Sequence, residues 1–297
     1  MSLNYDFIFV ELAIKFLEIG DVEYLQKIAE SKAAEHIFNH ALRFNPGMPI
    51  GSTLEFVTHL LTPLDKHREK LQQVTKNLDY AKKHIASTRI AENIALQFLP
   101  DNFVFFGSMF FTFGYDIGVA FGKNCSLNLA HSIFSSNIEE MKYYAIHEIH
   151  HAGFITLKEG YMPSLQVSTR KDMLRLIEYL THLEGMGTYV PLEIRKQENA
   201  MNTDRDYIAL QNSDQLNSFV KEYFEIYDYF KDNLNEALTD YDWYKIGVLS
   251  DIKRLWYIVG AHMAKAIDKR LGREKLTGLI CESPENFIKT YLNLEEY

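Results

Sequence analysis

From Asp6 to Pro100 the apolar positions recur every three or four residues, as in Leu54, Val57, Leu60 and Leu61, and again in Leu71, Val74, Leu78 and Ala81. That period belongs to helices burying one face. It predicts a bundle of about four helices, interrupted by a loop from Asn45 to Ser52 with two prolines. Between Phe103 and Leu129 the pattern changes to aromatic, β-branched and glycine-rich, and GYDIGVAFGKNCSLNLA alternates well enough to predict two or three short strands joined by tight turns. Beyond Ser135 the helical period returns and runs to the end. The polar stretch from Arg195 to Asn217 predicts a loop or lid-like excursion before the aromatic segment Phe219 to Phe230. Helices, a small sheet and helices again make an α+β chain with a helical majority, read as a helical region over 1–100 and a second region over 101–297.

Within the second region, SSNIEEMKYYAIHEIHHAGF has the features of a helix start. Ser136 followed by Glu139 fits a capping box, and Ile138, Met141, Ala145, Ile149 and Ala152 follow at helical spacing. On that helix His147 and His151 lie one turn apart on one face, so both imidazoles can reach a single ion. Glu148 is adjacent, placed to touch a water on that ion without ligating it. A zinc ion with an open position lowers the pKa of its water towards neutrality, and a neighbouring carboxylate can then act as general base. His150 points about a hundred degrees away from His151, which suits packing better than ligation. A diiron site would need a second ExxH, and the chain contains none.

Catalytic zinc takes three protein ligands, so one more is required. The positions where a short HExxHxxGxxH motif would continue are Leu157 and Tyr161, which sends the search further along the chain. The next helix, starting near Thr169 and Asp172 and ending at Pro191, carries Met173, Ile177, Leu180, Glu184 and Gly187 at spacings of four and three. Glu184 therefore sits on an apolar stripe, where a carboxylate is costly unless paired or bound to metal. Gly185 and Gly187 beside it would let another helix approach closely. Glu178, His182 and His131 are weaker candidates.

HEIHH followed on the next helix by Glu184 in LEGMGTYV resembles the gluzincin group of zinc metallopeptidases. It is most similar to an uncharacterised family described as zinc-dependent peptidases. The motif residues of that resemblance lie between Phe103 and the C-terminus. It implies a zincin-like core, in which a small twisted sheet lies over the HExxH helix with its edge strand beside the substrate, and GVAFGKNCSLNLAH occupies the corresponding place. It implies Zn2+ held by His147, His151 and Glu184. Gly187 stands where an alanine is common, and the substrate signatures of the best-known branches are absent. A donor to the oxyanion is also expected. DIKRLWYIVGAHMAKAIDKRLG offers Tyr257, which resembles the downstream tyrosine of gluzincins, and His262. Arg254, one turn before Tyr257, is a candidate for binding a terminal carboxylate.

Charge and composition narrow the partners. A net charge of −9 opposes binding to a phosphate backbone. Two cysteines, Cys125 and Cys281, form neither a disulfide framework nor a CxxC site. The apolar run FVFFGSMFFTFG is too short to cross a bilayer, and MSLNYDFIFVE has no basic region of a signal peptide, so the expected location is cytoplasmic. The expected activity is hydrolysis of a peptide by a water that Glu148 deprotonates. The alternatives are a zinc hydrolase of a small non-peptide amide or ester, and a non-catalytic helical protein with a structural metal.

Overall fold

The computed structural model describes residues 3–295. In chain order the elements are β1 (Asn4–Asp6), α1 (Ile8–Ile19), α2 (Glu23–Ala29), α3 (Lys32–Phe44), α4 (Thr53–Leu61), α5 (Leu64–Arg68), α6 (Leu71–Tyr80), α7 (Ile90–Leu96), β2 (Ser108–Thr112), β3 (Gly118–Phe121), β4 (Asn124–Asn128), α8 (Ser132–Ser136), α9 (Glu140–Leu157), α10 (Arg170–Tyr189), α11 (Leu192–Gln197), α12 (Arg205–Gln211), α13 (Ser213–Lys231), α14 (Asp240–Gly247), α15 (Leu255–Leu271), α16 (Arg273–Gly278) and α17 (Pro284–Glu295). The chain is α+β with helix predominating. It divides into two compact units: the residues up to Ile94 together with Val104–Ile155, and Ala95–Phe103 together with the residues from Thr156 on.

In the first unit the N-terminal segment is helical as expected, but it is cut into more pieces than about four. Gly20 closes α1 at φ +82°, Ser31 and Ser52 cap α3 and α4 with their side chains, and Pro63 precedes α5. Each stop satisfies backbone groups that a longer helix would have bonded internally. The α1 face formed by Phe9, Val10, Ala13, Phe16 and Leu17 is buried, and Phe7 stacks on Phe111 of β2 at 4.4 Å.

The sheet has the order β1-β2-β4-β3, with β1 and β4 parallel to β2 and β3 antiparallel to β4. Of the two or three short strands expected between Phe103 and Leu129, three are present, and Gly122 opens the two-residue β3–β4 turn at φ +57°. The sequence pattern missed β1, whose three residues Asn4–Asp6 pair with Ser108, Met109 and Phe110. NYD is too short and too polar to alternate, so its strand conformation comes from its partner. β4 is paired on both sides, which leaves β3 as the edge of the segment from Gly118 to Leu129.

The start of α9 also differs from the expectation. Ser136 is the last residue of α8, and Asn137 accepts from the Glu139 N–H at 3.2 Å just ahead of α9. An Asn with extended backbone ends one helix and serves the next, a task the Ser136 and Glu139 pair would have performed only for an uninterrupted helix. Nor is α9 amphipathic: from Glu140 to Ile155 only Tyr144 and His147 escape burial. A helix buried nearly all round has no polar face to turn to solvent.

In the second unit α10 begins as predicted, with Thr169 and Asp172 in a reciprocal capping box. The polar stretch 195–217 is not a loop but carries α11, α12 and the start of α13. Part of its polarity is internal. Arg195 is buried and donates to the Ala200 carbonyl and to Thr203, and Asp204 caps α12 by accepting from Asp206 N–H at 2.8 Å. Buried charges with partners look like loop composition in a sequence.

α15 makes its most extensive packing against α10. At the crossing Gly185 meets Gly260: a Cβ on Gly260 would lie 2.5 Å from the Thr181 carbonyl oxygen and 2.6 Å from Gly185 Cα. Any side chain there would force the helix backbones apart. Gly260→Ala is expected to lower stability by about 1–3 kcal/mol, the usual scale of overpacking. Gly278→Ala, where a Cβ meets nothing within 4 Å, is the matched control. Urea unfolding of both variants measures the difference.

Candidate metal centre

In the first unit, α9 carries the HEIHH residues. Four residues make just over one helical turn, so His147 and His151 stack along one face with ring centroids 4.1 Å apart. His151 is buried and His147 partly exposed. Glu148 is buried beneath the sheet: its Cγ and Oε1 lie 2.8 Å from where a Cβ on Gly118 would be. Gly118 is the first residue of edge strand β3, so the absence of a side chain there is what lets the carboxylate lie against the strand. The Glu148 charge also reaches Cys125 on β4. Burial first, and then that charge, push the Cys125 thiol well above its ordinary range. His150 is fully buried and lies 6.2 Å from the Phe154 ring.

In the second unit, α10 and α15 carry the other candidates. Glu184 is partly buried on α10, one residue before the glycine at the helix crossing. Tyr257, in the first turn of α15, has its phenol raised above the ordinary range, by burial first and then by the nearby Glu184 charge. It is a protonated donor at neutral pH. The Arg254 guanidinium lies over the Tyr257 ring at 3.5 Å from its centroid and is gripped by Asp206, whose Oδ1 and Oδ2 accept from Nε at 2.8 and 2.9 Å. Burial pushes the Asp206 carboxyl up to about 6 against the pull of Arg254, which leaves it ionised at pH 7.

The other candidates have different surroundings. His262 sets its ring edge-on to Tyr291 of α17 at 5.7 Å. His182 stacks flat on Phe287 at 4.2 Å, Glu178 accepts from the Tyr227 hydroxyl at 3.0 Å, and His131 caps α8. Of the predicted ligands, His147 and His151 lie together on α9 in the first unit, and Glu184 lies on α10 in the second. The sequence placed Gly118 in a strand beside the substrate, but neither its contact with Glu148 nor the hold of Asp206 on Arg254 was anticipated from it. The signal for Asp206 lay in DRDYIALQ, where a helix start sits inside a segment too polar to suggest burial. For Gly118 no signal existed without the strand pairing.

A family model described as "Putative zinc dependent peptidase (DUF5700)" matches residues 21–296. The match reaches back through the N-terminal helices, further than the motif residues alone suggested. No curated protein and no solved structure matches the chain. Among the described residues no helix is long and apolar enough to cross a membrane.

The contact between Gly118 and Glu148 can be tested by unfolding alone. Gly118→Ala is expected to destabilise the protein by about 1–3 kcal/mol through the clash. In a Glu148→Ala background the same change should cost at least 1 kcal/mol less, since contacting residues couple on about that scale. A double-mutant cycle in urea gives the coupling, and additive effects would show that the two side-chain positions do not meet.

Proposed function

The chain belongs to that family of zinc-dependent peptidases, and from this premise we propose that it hydrolyses peptide bonds at a zinc ion held by His147, His151 and Glu184. Two imidazoles one turn apart on α9 and a part-buried carboxylate on α10, in a chain of that family, carry the reading. Two imidazole nitrogens and one carboxylate oxygen are a catalytic donor set that leaves a fourth position open, whereas structural zinc is closed by four Cys or His ligands.

Zinc bound there would supply a water acidified towards neutral pH and a polarised carbonyl. Glu148 takes the proton from the attacking water and returns it to the leaving amine. Its burial against β3 fixes the carboxylate beside the strand. Tyr257, protonated at neutral pH, donates its O–H to the carbonyl oxygen as negative charge develops there. Tyr257 is preferred to His262 for this task because its phenol feels the Glu184 charge, while the His262 ring faces Tyr291.

The peptide itself has a template in β3. Asn128 N–H donates to the Ile117 carbonyl at 3.0 Å, and the antiparallel register pairs Gly118 with Leu127 and Val119 with Ser126. Bonded and non-bonded pairs alternate, so Gly118 and Ala120 turn their N–H and C=O groups away from β4. An extended peptide added at that edge would be held through its main chain, with limited demand on its sequence.

Two substitutions test the reading. Glu148→Gln preserves size and hydrogen bonding but removes the base. Zinc should stay at one per chain while turnover of a quenched fluorescent peptide library falls roughly a hundred- to ten-thousand-fold. Loss of metal from this variant would make Glu148 a ligand and refute the assignment. Glu184→Ala is expected to lose tight zinc. Elemental analysis finding full occupancy after dialysis against a chelator would remove Glu184 from the ligand set.

A further inference from the structure

Arg254 combines three features that packing alone does not require together. It precedes α15 with φ +55°, in the left-handed region that non-glycine side chains rarely occupy. Its Nε and Nη2 are held by Asp206, which is 4% exposed, with Nη2 to Oδ2 at 2.8 Å. Its flat face covers the Tyr257 ring at 3.5 Å.

A left-handed residue costs on the order of 1–3 kcal/mol and persists only where its surroundings impose it. Here the imposing group is Asp206. It sits in the first turn of α12, and its own N–H is held by Asp204 at 2.8 Å. A bidentate carboxylate fixes both the position and the plane of a guanidinium. A ring stacked on that plane loses its freedom to tilt. Burial alone would confine the Tyr257 ring to a volume; the stack also sets the direction of its O–H.

We propose that Asp206 and Arg254 form a positioning clamp that fixes the Tyr257 ring so that its hydroxyl is aimed before substrate arrives. Arg254 and Asp206 are thus positioning residues, and the inference rests on Tyr257 being the oxyanion donor of the proposed reaction. Preorganised donors are effective because they need no reorientation as charge develops. The clamp accordingly acts on turnover rather than on substrate binding. Lysine cannot replace Arg254, since an ammonium offers neither a plane to stack on nor a fork for Asp206.

The clamp itself is tested without any substrate. In the ¹⁵N spectrum of the full chain, the Arg254 Nε–H signal, assigned by its disappearance in R254K, should be slow to exchange and shifted by the ring current of Tyr257. Y257F keeps the ring and should leave that shift in place, Y257L should abolish it, and D206N should speed exchange. A signal unmoved by Y257L, or exchange unchanged by D206N, overturns the clamp. The kinetic consequence is read on the quenched peptide library with zinc content and unfolding checked for each variant. R254K and D206N are expected to lower kcat about tenfold with KM within twofold, and to have no further effect once Tyr257 is Phe. An equal loss in the Tyr257 and Y257F backgrounds would mean that Arg254 acts other than through the phenol, and overturns the proposal. Wild-type turnover in Y257F alone would instead remove Tyr257 from the reaction, a failure of the underlying reading that leaves the spectroscopic result standing. If R254K unfolds, D206N carries both comparisons.

Discussion

Two helix backbones in van der Waals contact at Gly185 and Gly260 set the geometry of the second unit. With no Cβ at either position, α10 and α15 approach until carbonyl and Cα atoms touch. Glu184 precedes one of these glycines and Tyr257 lies a turn before the other, so the same approach brings a carboxylate and a phenol into electrostatic reach. The consequence runs outward to Arg254, which must leave the helical region to start α15 where it does, and to Asp206, which holds it there. Small residues at a helix crossing thus fix the chemistry of their larger neighbours.

Glu148 depends on a comparable omission. Its carboxylate is buried under an edge strand, a position that would be occupied by a side chain if residue 118 had one. Burying an acid is costly unless something uses it, and both the thiol of Cys125 and the glycine at 118 are arranged around it. In each unit, then, the candidate residues depend on glycines as much as on their own side chains: Glu148 on Gly118, and Glu184 and Tyr257 on Gly185 and Gly260.

The legible part of the chain was the part with a period. HEIHH declares itself because an interval of four is one helical turn, and Glu184 because a charge on an otherwise apolar stripe is conspicuous. Thr169 and Asp172 marked their helix start because a capping box is local chemistry. The remainder depended on partners distant in sequence. NYD becomes a strand only beside Ser108–Phe110, and α11 and α12 hide in a polar stretch because Arg195 and Asp206 meet their partners inside the fold. Asn137 took over a cap from Ser136 because a short helix, α8, intervened that no apolar repeat announced. Gly118 could not be distinguished from an ordinary turn glycine until its strand was laid over Glu148.

The pairing of Asn4–Asp6 with Ser108–Phe110 also has a bearing on how the protein is made. A strand whose neighbour among the described residues lies about a hundred residues further on cannot join its sheet as it leaves the ribosome. At typical elongation rates of roughly 5–20 residues per second, Asn4–Asp6 waits on the order of 5–20 s for β2 to be synthesised. During that interval α1–α7 emerge, and their local contacts form far faster than a long loop can close. The order of synthesis thus favours α1–α7 before the sheet, with α8 and α9, and Glu148 with them, following it.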